Sequence, residues 1–325
     1  MLRRRLLAAA TIVLAIVAVA PSWAQYKPAR PIEFVVHGGP GSGNDAFARA
    51  MITIIEREKL SPVRIQIANR TGGGGTTAAS YMVGKKGDAN VIGLFTGVWL
   101  TNPLVQAEAT ARLHDMTPIA RLVIEPAVLA VKADSPHRTL QDLIEAARKN
   151  PGQLKQAGGS PLSRDNLVRQ LLMTHSGVTW SYISFPGGGE RVAALLGGHV
   201  DMMLLEPSEA GELLRAGKLR ALAQVSERRI AGLEDVPTLK EAGFDVPNVP
   251  MARGVIGPPD MPSEALAYYE DLMQRLVQSA SWKKYLQETQ LEDAYLKSKD
   301  TGKFFVEYEN QLRAILQAGG IKLVR

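Results

Sequence analysis

The sequence predicts a two-lobed α/β protein built on parallel-rich sheets. Short apolar runs of strand character alternate with amphipathic helical stretches along almost the whole chain. Four strand-to-helix junctions are rich in glycine, serine, threonine or asparagine: residues 39–45, 96–97, 158–163 and 186–190. At 325 residues, the chain is longer than one hydrophobic core usually serves. In an open α/β sheet such junctions lie at the carboxyl ends of strands, where ligands bind.

Residues 31–51, PIEFVVHGGPGSGNDAFARAM, give a strand over 32–36, a turn with four glycines, and a helix from about 45 to 59 that Asn44 or Asp45 can cap. Such a turn aims unpaired N–H groups at the positive end of a helix and attracts anions. VRIQIA at 63–68 alternates as a strand does. Four glycines at 72–75 then precede a helix start over 76–83. Residues 91–95, 119–123 and 127–131 are further strands, the last two separated by Glu125 and Pro126. This part predicts a parallel sheet covered by helices.

Ser135 and Pro136 open a second unit. Its helices are expected at 140–149, 165–174, 190–196 and, after Glu206-Pro207-Ser208, up to Ala216, and its strands at 154–157, 179–185, 200–205 and 219–225. A proline-rich connector over 236–250 leads to a strand at 252–257, where the chain returns to the first sheet. Helical spacing over 262–279, 281–289 and 300–318 completes the first lobe.

The amino terminus has the pattern of a cleaved export signal: Arg3, Arg4 and Arg5, an apolar run over 6–20, and Ser22-Trp23-Ala24 before Gln25. The apolar run is short for a membrane anchor. The absence of cysteine fits export to a bacterial periplasm without a lipid anchor. Residues 1–24 hold three arginines and no acid, so the remaining 301 residues carry +3 of the formal +6. That excess, with no basic block, excludes a nucleic-acid footprint.

The first turn lacks the Gly-Lys-Ser/Thr of a P-loop, and Asn69 ends the second strand where a dinucleotide site has an acid. No cofactor is implied. His37, His114, His137, His175 and His199 are scattered without metal spacing, and no G-x-S-x-G elbow is present. Asp45 and Glu206 are better suited to capping or polar ligand contact than to paired acid–base catalysis, and Asp201 to a structural role. Arg164 and Arg191 flank two of the turns; each is either a solvated surface arginine or a bidentate grip on a second acidic group of a ligand. Trp99 and Trp180 are expected in the core.

In order along the chain, PIEFVVHGGPGSGNDAFARAM, IANRTGGGGTTAASYMV, DMTPIARL, LLGGHVDMML, AGKLRALAQVSERR, DVPTLKEAGF and RGVIGPPDMP resemble the extracytoplasmic solute receptors of tripartite tricarboxylate transporters, the Bug receptors. The likeness spans residues 31–320, and DMTPIARL and GGGERVAALLGGHVD are most similar to the tricarboxylate-binding branch. It implies a two-domain periplasmic binding protein, type II-like, with the ligand cleft between domains: 25–131 plus 249–325, and 132–248. It further implies a non-enzymatic, monomeric receptor for a small carboxylate, with the membrane permease subunits as partners. Some relatives instead partner a membrane sensor kinase, and a secreted α/β enzyme on an acidic substrate is the rival of another class.

Carried over residue by residue, the first domain holds a ligand carboxylate with Gly41, Ser42, Gly43, Asn44, Asp45, Thr96 and Gly97. The second adds Gly159, Ser160, Ser163, Gly187, Gly188, Gly189, Glu190 and Glu206. This chain departs from the family pattern at His37-Gly38-Gly39, at Asn44 and over Pro161-Leu162-Ser163-Arg164.

Overall fold

The computed structural model describes residues 26–185 and 187–324. The expected export signal therefore lies outside the described residues. Two sheets organise the chain. The first contains β1 (Ile32–Val36), β2 (Ile65–Asn69), β3 (Val91–Phe95), β4 (Thr117–Glu125), β10 (Met251–Gly257) and β11 (Glu292–Lys297), in the order β11-β4-β10-β3-β1-β2. The second contains β5 (Ala127–Lys132), β6 (Lys155–Gly158), β7 (Ser181–Ser184), β8 (Met202–Leu205) and β9 (Leu219–Val225), in the order β7-β6-β8-β5-β9.

The first sheet is mixed rather than parallel. β2, β1 and β3 pair in parallel, but β10 enters antiparallel between β3 and β4. The second sheet repeats this pattern, with β7, β6 and β8 parallel and β5 antiparallel between β8 and β9. In each sheet the reversed inner strand is the one the chain enters from the other sheet. β4 ends at Glu125 and continues across Pro126 into β5; β9 ends at Val225 and the connector leads into β10. A strand that starts at the interface must run away from it, opposite to strands that end there. β11 also runs antiparallel, at the edge beside β4.

Helix spacing explains the layers. α1 (Gly43–Arg57) buries Phe47, Ala48, Met51, Ile54 and Ile55, an i, i+1, i+4, i+7, i+8 stripe. That stripe packs with α8 (Ser263–Gln278) and α9 (Ala280–Thr289) on one face of the first sheet, around Phe34, Tyr269 and Trp282. The opposite face carries α2 (Thr76–Gly84), α3 (Val98–Val105) and α10 (Ser298–Ala318). That core continues without a break into α4 (Leu140–Lys149) and α5 (Arg164–Ser176) of the second lobe, where Trp180 is buried. α6 (Gly188–Leu196) and α7 (Pro207–Arg215) close the second sheet's other face.

β3, α4 and β9 coincide with the sequence expectation, and α4 carries a Thr139–Asp142 capping box. Two elements were not anticipated. α3 follows Thr96 and Gly97 without a side-chain cap and contains Pro103. β11 is largely polar, and its strand character comes from pairing with β4. Among the described residues, no helix is long and apolar enough to cross a membrane.

Candidate functional site

The turn between β1 and α1 is tied from within. Gly41 takes φ +79°, and Ser42, in extended backbone, caps α1 by accepting the Asp45 N–H. Ser42 is therefore the cap, in place of Asn44 or Asp45. Asp45 is 1% exposed and spends its carboxylate on its own lobe. It accepts the Gly41 N–H (2.9 Å), Arg49 Nε and Nη2 (2.8 and 3.1 Å) and Asn69 Nδ2 (3.0 Å). Burial alone would push this carboxyl up; the Arg49, Gly41 and Asn69 hydrogen bonds outweigh it and hold the group below the usual range.

Beside it, Trp99 Nε1 donates to His37 Nδ1 (3.0 Å), and His37 Nε2 meets the Asn44 amide (2.9 Å). Burial and the nearby Arg253 pull His37 down to about 4, so it is neutral. Trp99 and Trp180 are both core residues, and Asp201 accepts the Lys155 N–H as a structural group.

The second lobe repeats the device. Asp165, in the first turn of α5, accepts the Gly159 N–H (2.7 Å) and Arg191 Nη1 (3.0 Å). Arg164 and Arg191 are not solvated surface residues. Arg164 donates to the Glu125 carbonyl (2.6 Å) and to Glu206 Oε1 (2.8 Å), and both side chains of that ion pair are nearly inaccessible. Glu206 is the residue preceding α7, and Pro207 is the first residue of that helix. On β10, Arg253 Nη1 donates to the Gly43 carbonyl (3.0 Å), and Nη2 pairs with the buried Glu125, whose other oxygen accepts Ser208 Oγ (2.5 Å). Carboxylates and guanidiniums thus form one network across the point where β4 passes into β5.

The two lobes meet at a carboxylate of the chain's own. Glu209, in the first turn of α7, stands between the amino ends of α1 and α6. A Cβ built on Gly43 would lie 2.2 Å from Glu209 Oε1, and one on Gly188 2.5 Å from Glu209 Oε2. Arg191 Nη2 reaches Glu209 Oε2 at 3.2 Å and Glu206 Oε2 at 3.8 Å. A second contact between lobes brings Gly74, at φ +63°, towards Ser160 Oγ.

Of the residues expected at the site, Gly43, Gly188, Arg164, Arg191 and Glu206 come together here. Gly187 caps α6 through backbone alone, leaving the first turn at Gly188, Gly189 and Glu190; Gly189 and Glu190 are exposed. Ser163 precedes α5 and meets the Tyr182 hydroxyl at 3.3 Å. Thr96 is buried at the end of β3, and Gly97 lies under the Tyr308 hydroxyl.

Glu125, Asp165, Ser208, Glu209 and Arg253 were not anticipated. Asp165 had a signal, since it follows a glycine turn as Asp45 does. A lone arginine in the apolar run of β10 was another. Glu209 had none, because its position depends on how the lobes meet.

The electrostatics follow from this crowding. Burial would raise Glu206, but Arg164 and Arg191 outweigh it and hold it low. Burial and the charge of Glu206 push Asp165 up. Burial and Glu206 also push Glu209 up to about 7, against the pull of Arg191. A groove of about 610 Å3 opens elsewhere, beside the crossings, lined by Arg121, Pro126, Arg229, Gln290 and Phe304 among others. No residue of the glycine turns lines it. Two helix amino ends and the charged network converge at the turns instead.

The profile of the tripartite tricarboxylate transporter family receptor matches residues 50–321. The chain belongs to this receptor family. A UPF0065 protein of Cupriavidus necator is 28% identical over 97% of this chain and 95% of its own length. A TctC solute-binding protein from Polaromonas superposes with a TM-score of 0.69 at 27% identity, covering 89% of this receptor and 99% of that chain. R. palustris Rpa4515, solved with adipate, superposes with a TM-score of 0.84 at 25% identity, covering 90% and 98%. The receptor has the two-domain fold of periplasmic solute-binding proteins and is a binding protein of that family rather than an enzyme.

Proposed function

We propose that this receptor captures a small carboxylate in the periplasm, closes its two lobes on it, and delivers it to the membrane permease of a tripartite transporter. The observation that carries the reading is the approach of the α1 and α6 amino ends, one from each lobe, to a single carboxylate position. Helix amino ends carry partial positive charge and undonated N–H groups, so an anion bridging two of them links the lobes. The solved neighbour with adipate supports a carboxylate as the ligand class, and the family profile supports the transporter partnership.

We take the first domain as residues 25–131 with 249–325 and the second as 132–248. The passage of the chain between sheets at Pro126 and its return before Met251 support this division. The ligand set on this reading is Gly41, Ser42, Gly43, Asn44, Thr96 and Gly97 facing Gly159, Ser160, Ser163 and the α6 turn. Asp45 and Asp165 hold the turns in place.

A thermal-shift screen of residues 25–325 against mono-, di- and tricarboxylates tests the reading. Ligand that binds only the folded state raises the melting temperature. We expect a selective rise with one carboxylate class; no rise with any, in protein freed of co-purified ligand, would sink the assignment.

A further inference from the structure

Four carboxylates and three guanidiniums make up the network at the lobe interface: Glu125, Asp165, Glu206 and Glu209 against Arg164, Arg191 and Arg253. With all of them ionised, one negative charge is in surplus. The arginines are committed to the protein. Arg164 serves Glu206 and the Glu125 carbonyl, Arg253 serves Glu125 and the Gly43 carbonyl, and Arg191 serves Asp165 and Glu209.

Two acceptors are left short of donors. Glu206 is 3% exposed, and its Oε2 has no hydrogen-bond partner; Arg191 Nη2 stands 3.8 Å from it. Glu209 shares that same nitrogen, and its side chain keeps only 21% of its exposure. Glu209 also holds the position between Gly43 and Gly188 where an incoming carboxylate would bridge the helix ends. A plain dicarboxylate approaching there meets a like charge; each guanidinium already serves a carboxylate of the chain, and the unpartnered Nε atoms of Arg164 and Arg253 are buried. A primary ammonium brings one positive charge and three donors, which matches one surplus negative charge and two under-donated oxygens.

We propose that Glu209, together with Glu206 Oε2, forms a cation subsite that selects an amine-bearing carboxylate over the plain di- or tricarboxylate of the same skeleton. This rests on the reading of the chain as a carboxylate receptor. The groups facing Glu209 are Arg191 from α6, Glu206 before α7, Glu125 from β4, Arg253 from β10 and the amino end of α1. The burial that pushes Glu209 up fits a carboxylate lacking its own cation.

Isothermal calorimetry at pH 8 on the full mature chain decides it, using two matched pairs: succinate with aspartate, and adipate with 2-aminoadipate. We expect the aminated member of at least one pair to bind the wild type at least tenfold more tightly. Glu209→Gln should shrink that ratio at least tenfold by weakening the amino acid and strengthening the diacid. A ratio unchanged in Glu209→Gln, or a wild type that prefers the plain diacid, overturns the subsite.

If neither protein binds any of the four acids, the carboxylate reading fails by itself, and ligand-free protein then judges Glu209. A surplus charge predicts that Glu209→Gln melts higher than wild type at pH 8 and loses that advantage at pH 5, where Glu209 is protonated. A variant that melts equal to or below the wild type at both pH values overturns the surplus charge and the subsite with it.

Discussion

Asp45 shows how a residue that looks like a ligand contact can act one step behind it. All of its hydrogen-bond partners lie in its own lobe, and they fix the Gly41 N–H, the α1 start and the end of β2. From sequence, Asp45→Ala is expected to weaken binding while leaving the fold intact. The geometry predicts a loss of stability as well, about 1–3 kcal/mol, because the hydrogen bonds that Gly41, Arg49 and Asn69 make to this one buried carboxylate are lost together. Urea denaturation checks this, and a midpoint equal to wild type would refute it. The sign of the pH dependence follows from the depressed carboxyl: its contribution is present above the unfolded carboxylate value near 4 and is lost as pH falls below it. His37 adds in the same direction. Because it is held neutral down to about 4, stability drains as pH falls from about 6.5 towards about 4. His37→Gln should flatten that part of the pH–stability curve.

At the scale of elements, β10 carries the tightest constraint. It is the reversed central strand of the first sheet, with register shifts at Arg253/Gly254 and Val255/Ile256 against β4. A Cβ on Gly254 would lie 2.2 Å from the Ala120 carbonyl oxygen, 2.5 Å from the Phe95 ring and 2.8 Å from Arg121 Cα. The carbonyl and the Cα are backbone and cannot rotate aside. Gly254→Ala is therefore expected to cost about 3 kcal/mol, the upper part of the usual range for overpacking. It should lower the melting temperature by several degrees, and a shift under one degree would show that β10 moves freely. The lone Arg253 in an apolar run marked the strand in the sequence but did not say what the side chain does there. Its ion pair with Glu125, 128 positions away, and its hydrogen bond to the Gly43 carbonyl give it that role. α3 was missed for a local reason: it has no side-chain cap and contains a proline, so packing of Trp99, Leu100 and Leu104 supplies its stability.

At the scale of the whole molecule, the crossings and the charged network occupy the same place. Glu125 ends β4 immediately before Pro126 and pairs with Arg253 at the start of the returning strand. Removing one partner of a buried pair leaves an uncompensated charge, which costs about 3–5 kcal/mol. Glu125→Gln should therefore lower stability by that order and also alter ligand affinity, because Ser208 and Arg253 link it to α7 and α1. Equal denaturation midpoints for variant and wild type would show that the pair is dispensable. Closure itself needs a ligand that prefers the closed state, since equal affinity for both states shifts nothing.

The sequence by itself determined the α/β alternation, most element positions, the glycine turns, the return of the chain at residues 252–257 and the family. Those are local properties: periodicity, turn chemistry and short motifs need only a few neighbouring residues to be legible. Tertiary structure alone decided that β10 and β5 run reversed inside their sheets, that Arg164 and Arg191 are buried on the chain's own carboxylates, and that Glu209 stands between two helix ends. Each of these depends on groups tens to hundreds of positions apart, and on the balance of desolvation against pairing once the lobes meet, a balance no stretch of sequence carries.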